Sequence, residues 1–340
     1  MYSTVGEEEV SIPLIALVLV LMFQTSPRAG VSGDGQEALV LTRSIAMPRV
    51  EGRIDHLTID LSQQRLFVAA LGNDTVEVID ARAGTQLRSL PGFHEPQGIG
   101  QPLDGDLVAV ANGGSGDLVM FDRTSLRIVR SVALGGDADN VRFDRKGRRF
   151  YVGYGSGAIG GVSEDGTRAG DAKLLAHPES FQLETNGPRI FVNVPGARQI
   201  AVIDRSTMKV QTTWPVTTAA SNYPMALDEG SHRLYVGCRR PAMVLVFDTE
   251  SGKQVGSVSV VGDTDDMFYD AKRQRLYVIG GDGFIDVIQR RDADRLERVA
   301  HVATAAGART GLFVPDQDRL YLAVPHRGAQ RAEIRVYEPR

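Results

Sequence analysis

Leu66–Ala70 (LFVAA), Leu107–Ala111 (LVAVA), Phe150–Tyr154 (FYVGY), Ile190–Val194 (IFVNV), Leu234–Cys238 (LYVGC), Leu276–Gly280 (LYVIG) and Leu320–Val324 (LYLAV) are seven versions of one short apolar strand. Their starts lie 41, 43, 40, 44, 42 and 44 residues apart. A period in the low forties built only of strands is the signature of a β-propeller blade. The expected fold is therefore all-β: seven four-stranded antiparallel blades closed into one ring.

Blade one shows the internal pattern. His56–Asp60 reads as the innermost strand, Arg65–Ala70 as the second, Thr75–Asp80 as the third and Gln86–Leu90 as the outermost. The third strand alternates apolar and polar residues as a half-buried strand does. Its closing motif returns at Asp122, Asp204 and Asp248, with weaker versions ending near Ser163, Gln289 and Glu338. Turn residues follow each time, so these aspartates are expected to accept backbone N–H bonds.

The seventh repeat lacks its fourth strand, because the chain stops at Arg340 soon after Ile334–Tyr337. Leu41–Ala46 resembles the outer strands of the other repeats, so residues 39–47 are expected to close blade seven. Closure leaves no exposed sheet edge. The single propeller domain is drawn at residues 38–340.

Residues 1–33 differ in kind. Val10–Phe23 is an almost wholly apolar run of 14 residues, too short for a stable membrane span and suited to a signal-peptide core. Ala29, Gly30 and Ser32 offer a cleavage site. Glu7, Glu8 and Glu9 stand where basic residues are usual, so the alternatives are an uncleaved anchor or a start codon assigned too far upstream. The expectation is an exported, periplasmic or secreted bacterial chain, acting as a monomer.

The net charge of −4 supplies no electrostatic case for nucleic acid, and no basic run supplies one locally. Cys238 is the lone cysteine, which excludes an internal disulfide and a thiolate metal cluster. No C-x-x-C-H haem signature is present. Gly155–Gly160 matches G-x-G-x-x-G, but it falls between two strands with no helix to follow, so it reads as a glycine-rich hairpin.

The LYV-type second strands, the V-I-D third strands and the period resemble the YVTN-repeat (YncE-like) seven-bladed propellers, often exported bacterial proteins. That resemblance covers residues 39–340 and implies the fold rather than an activity.

Aligning the blades brings the starts of the inner strands to one mouth of the axis. The corresponding residues are Asp55, Gln97, Asp139, Glu179, Tyr223, Asp265 and Thr310. Two residues earlier lie Arg53, Glu95, Asp137, His177, Ser221, Asp263 and Ala308. His56, Asn140 and Asp266 follow directly, and His94 stands nearby. Two carboxylates about 6 Å apart at an effective dielectric near 20 repel by roughly 3 kcal/mol. Such a cluster therefore needs a bound cation, raised pKa values, or internal basic partners such as Arg53, Arg142 and Arg309.

Asp55, Asp139, Glu179 and Asp265 are the candidate metal ligands. Oxygen donors suit Ca²⁺ or Mg²⁺, and the nearby histidines admit Zn²⁺ or Mn²⁺. His56, Glu95, Gln97, Asn140, Tyr223 and Asp266 are the candidate ligand-binding residues.

The placement of the four acids is also similar to the metal site of gluconolactonase/regucalcin-like propellers. It implies a metal-dependent lactonase or esterase, with His177 or His94 as general base and Arg309 holding an anion. Those enzymes have six blades, and their longer signatures are missing here. Three functions stay open: a module binding a small polar molecule or a protein at one mouth, a metal-dependent hydrolase, or an accessory subunit of a periplasmic redox enzyme.

Overall fold

The computed structural model describes Met1, Tyr2 and residues 38–340. The signal-like run and its cleavage site lie outside the described residues. Among the described residues no helix is long and apolar enough to cross a membrane.

Seven separate four-stranded antiparallel sheets make up the fold. Blade one comprises Leu57–Asp60, Arg65–Ala70, Thr75–Asp80 and Thr85–Pro91. The seventh sheet joins Thr310–Val314, Arg319–Val324 and Glu333–Pro339 to Leu39–Ala46. Register runs from Leu39 opposite Pro339 to Ala46 opposite Glu333, so the outer strand of the last blade comes from the other end of the domain. The ring is closed by backbone hydrogen bonds between residues nearly 300 positions apart in sequence.

The repeated second strand forms the core because both of its faces are covered, one by each neighbouring blade. Phe67, Val108, Tyr151, Phe191, Tyr235, Tyr277 and Tyr321 are all essentially inaccessible to solvent. Phe121 of blade two packs edge-on against Phe67 of blade one, with ring centroids 5.5 Å apart, and against Phe93 at 6.2 Å. Consecutive blades therefore share one apolar layer, and a blade cannot bury its faces alone.

The aspartates ending the third strands do what the turn chemistry requires. Asp80 Oδ1 accepts the N–H groups of Arg82 (2.9 Å) and Ala83 (2.7 Å). Asp122, Asp204 and Asp248 repeat the arrangement, and each is held below the usual carboxylate range, Asp122 chiefly by the Ser125 N–H and Asp204 and Asp248 chiefly by the Ser206 and Ser251 hydroxyls together with the turn N–H groups. Gly155–Gly157 form the hairpin between Arg149–Tyr154 and Ala158–Ser163, with no helix following.

Candidate functional site

The inner strands enter the ring at one mouth, and four of them bulge there. Pairing with the second strand slips between Pro96 and Ile99, Ala138 and Val141, Asn222 and Met225, and Thr264 and Asp266. A bulge re-aims the side chain it carries. The slipped segments carry Gln97, Asp139, Tyr223 and Asp265, and the last three line one cavity. Two residues before each, Glu95, Asp137, Ser221 and Asp263 have left-handed backbone, with φ of 49°, 33°, 58° and 50°. That conformation costs a non-glycine residue about 1–2 kcal/mol, and it recurs at the same place in four blades. Gly98 allows the tight fit between neighbouring inner strands. A Cβ there would collide with Asp139 O and lie 2.8 Å from Asn140 Cα.

Asp55, His56, Asp139, Asn140, Glu179, Tyr223 and Asp265 line one cavity on the axis, together with Arg53 and Ser180. Its volume of about 20 Å³ has room for a single water-sized group. Five blades converge on it, as the alignment of the repeats anticipates. Asp266 lies just below, its Oδ2 accepting the Gly311 N–H at 2.9 Å.

Ion pairs offset most of the carboxylate repulsion. Arg53 Nη2 donates to Asp55 Oδ2 at 2.8 Å. His56 stands between Asp55 Oδ1 (3.5 Å) and Asp266 Oδ2 (3.3 Å). Arg309 Nη1 spans both oxygens of Asp263 at 3.0 Å, and its Nε lies 3.7 Å from Asp265. His177 Nδ1 lies 2.7 Å from Gly155 O and 3.6 Å from Asp137, and its Nε2 is 3.9 Å from Asp139.

Arg239 is the partner that reading the inner strands misses. Its Nη2 donates to Asp265 Oδ1 at 2.7 Å and its Nε reaches Asp263 at 3.6 Å. It comes from the end of the second strand of blade five (Arg233–Arg240), which returns to the same mouth because the strands are antiparallel. The arginine pair that follows the apolar run Leu234–Cys238 is the sequence signal for it. Arg142, expected among the neutralising groups, has no carboxylate within 4.0 Å among the described residues. Two buried asparagines also support the mouth: Asn193 Nδ2 donates to Tyr223 O (3.0 Å) and Pro224 O (3.2 Å), and Asn222 Nδ2 to Asn193 Oδ1 (3.0 Å).

The remaining candidates lie at the rim. Gln97 Nε2 donates to Asp137 Oδ1 at 3.3 Å. His94 and Glu95 are exposed, and the hydrogen bonds recorded at both run through their backbone. Thr310 is buried, its hydroxyl donating to Ile54 O at 3.3 Å.

The titration behaviour follows from this packing. Burial opposes charge on His56, but Asp266 and Asp55 outweigh it and push the ring up to about 10. Burial also opposes charge on His177, and there the nearby Asp139 carboxylate, the hydrogen bond to Gly155 O and the charge of Asp137 raise it to about 9. Both rings thus favour the protonated form, in which they hold carboxylates in place. Burial and the Asp139 charge raise Glu179 to about 8, and burial with Asp55 raises Asp265 to about 7.

Seven carboxylates (Asp55, Asp137, Asp139, Glu179, Asp263, Asp265, Asp266) thus face five cationic groups (Arg53, Arg239, Arg309, His56, His177). Among the described residues no three His, Cys, Asp or Glu side chains form a ready-made cage for one ion. The acids instead lean on nitrogen cations, so an incoming metal would have to compete with Arg53 and Arg239.

No protein-family model and no curated protein sequence matches the chain. Solved structures do match. A chain in the crystal structure of the mitotic checkpoint complex aligns with a TM-score of 0.75 at 14% identity, over 94% of this chain and 98% of that one. A chain of hydrazine synthase from Kuenenia stuttgartiensis aligns with a TM-score of 0.69 at 16% identity, over 81% of this chain and 94% of that one. At such identities the likeness is one of fold alone, and that fold is the β-propeller.

Proposed function

We propose that this chain is an exported ligand-binding propeller whose axial mouth takes a small cationic solute, either a divalent metal ion or an organic ammonium. One observation carries the reading. Glu179 is the carboxylate of the cluster that has no cationic partner within ion-pairing distance among the described residues. It lines the axial cavity, where burial first and the charge of Asp139 second raise its pKa. A bound cation would supply the missing charge, with Glu179 and the carboxylates that line the same cavity, Asp139 and Asp55, as oxygen donors.

The apolar run at residues 10–23 supports export. The propeller fold is consistent with a binding or interaction module. The protonated states of His56 and His177 favour the binding reading over hydrolysis.

Calorimetric titration with CaCl₂, MgCl₂, MnCl₂, ZnCl₂ and methylammonium chloride tests the proposal. At least one cation should bind stoichiometrically, tighten as pH rises from 6 to 8.5, and release a proton near neutrality as Glu179 ionises. Glu179→Gln should remove that binding. Absence of binding by all five at pH 8.5 would refute the reading.

A further inference from the structure

Below the polar cluster a second, larger space lies on the axis. A channel of about 400 Å³ runs between all seven inner strands. Its wall extends to the exposed Leu103 and Arg145 in the turns beyond those strands, so it opens at the opposite mouth. Its size is that of a small-molecule pocket, and its wall has the usual mixture of apolar surface and a few convergent polar groups. Ile99, Met225, Met267 and Leu312 supply apolar wall.

Two polar groups in this wall are not satisfied by the protein. Arg142 is partly accessible, through the channel, yet surrounded by the inner strands. Its Nη1 donates to Val141 O at 2.9 Å, and its guanidinium carbon lies 5.6 Å from the centroid of the Phe181 ring. Those are its recorded contacts, and no carboxylate stands within 4.0 Å among the described residues. Burial pulls its pKa below the usual arginine value, against the charges of Asp266 and Asp139. A guanidinium carries five N–H donors in a planar fork that matches a carboxylate. Desolvating it without a partner is costly. Gln101 Oε1 is buried in the same wall without a hydrogen-bond donor. Gln182 shows the satisfied alternative, since its Nε2 donates to Met225 O at 2.8 Å. At the floor, Asp266 is already engaged by His56 and the Gly311 N–H.

We propose that the channel is a second binding site, for a small hydroxylated organic monocarboxylate. The carboxylate takes the fork of Arg142, the apolar body lies against Ile99, Met225, Met267 and Leu312, and a ligand hydroxyl donates to Gln101 Oε1. The site opens at the other mouth from the acidic cluster and selects the opposite charge. Its occupation does not depend on a cation at Glu179.

Calorimetry or ligand-observed NMR with 4-hydroxybenzoate, benzoate and 4-hydroxybenzamide tests this on the intact protein. 4-Hydroxybenzoate should bind saturably, benzoate several-fold more weakly, and the neutral amide at least tenfold more weakly. Arg142→Gln should weaken 4-hydroxybenzoate at least tenfold, and Met267→Trp, which fills the channel and keeps the arginine, should also abolish binding. Glu179→Gln should leave it intact. The comparison of acid with amide needs no variant, so it stands even if Arg142→Gln fails to fold. No saturable binding of 4-hydroxybenzoate, or equal binding of the amide, would overturn the proposal. So would unchanged affinity in folded Arg142→Gln.

Discussion

The guanidinium carbon of Arg239 lies 3.9 Å from the centroid of the Tyr223 ring. The ring fixes the arginine plane by cation–π attraction, and in that position the fork faces Asp265 and Asp263. One side chain from the second strand of blade five thereby anchors the acids of blade six.

Arg239→Met should therefore cost more at high pH than at low pH. The arginine's charge holds Asp265 down, against burial and the Asp55 charge that push it to about 7. Removing it leaves an uncompensated carboxylate above that pH and a neutral acid well below it. The pair is mostly buried, with the two side chains 20% and 15% exposed, so a loss of about 1–3 kcal/mol is expected at pH 8.5. Chemical denaturation at pH 5.5 should show a smaller loss. A cost equal at both pH values would mean that the arginine acts by packing alone.

Stability should fall as pH rises from about 5 to 10. Glu179 binds its proton more tightly when folded, so its contribution is full below its unfolded value and is lost as pH climbs through about 8. His56 and His177 are also raised, to about 10 and 9, so their contributions are full below the unfolded histidine value and are lost through those higher values. All three act in the same direction. The melting temperature should be several degrees higher at pH 6 than at pH 9.5. Glu179→Gln should flatten the part of the slope between pH 5 and 8 and raise Tm at pH 8 by roughly 2 °C. A Tm that rises with pH across this window would contradict the assignment.

Removing residues 38–48 from the domain takes away the outer strand of blade seven, whose register with Glu333–Pro339 closes the ring. The exposed edge and the lost burial of Leu39 and Ile45 should lower Tm by roughly 10 °C or more and promote aggregation. Differential scanning calorimetry and light scattering read both effects. An unchanged melt would show that closure is dispensable.

Phe121→Ala leaves a cavity between the faces of blades one and two, where Phe121 meets Phe67 and Phe93. A loss of roughly 3–5 kcal/mol is expected, from the transferred surface plus the unfilled space. The m-value should stay unchanged if unfolding remains all-or-none. A cost below 1 kcal/mol would indicate that the interface repacks.

The architecture was legible in the chain because each blade repeats the same local pattern. The second strands are read at Leu66, Phe150 and Leu276 without knowing any neighbour, and the structure places them as buried strands. The outer strand at Leu39–Ala46 was legible as the missing piece of an incomplete repeat. The turn role of Asp80, Asp122, Asp204 and Asp248 followed from the residues beside them. The convergence of Asp55, Asp139, Glu179 and Asp265 on one cavity also followed, because a shared register puts equivalent positions at equal depth on the axis.

The pairing of those acids was decided only when the ring closed. Asp55 meets cations of its own blade, Asp139 and Asp265 meet cations of adjacent blades, and the bulges at Asp139 and Asp265 turn the chain by amounts that composition does not encode. Arg142 was expected to neutralise the acids, and it faces the channel on the other side of them. Arg239 does that work instead, from a strand whose sequence carries no acidic motif. Glu179 looks like its neighbours in the alignment and differs from them in lacking a partner. Periodicity is a property of neighbours along the chain, so the sequence by itself determined the blades, their number and the closing strand. Charge balance on the axis is a property of residues on different blades, from tens to some two hundred positions apart, and only the tertiary structure decided which acid was left over and which arginine was left free.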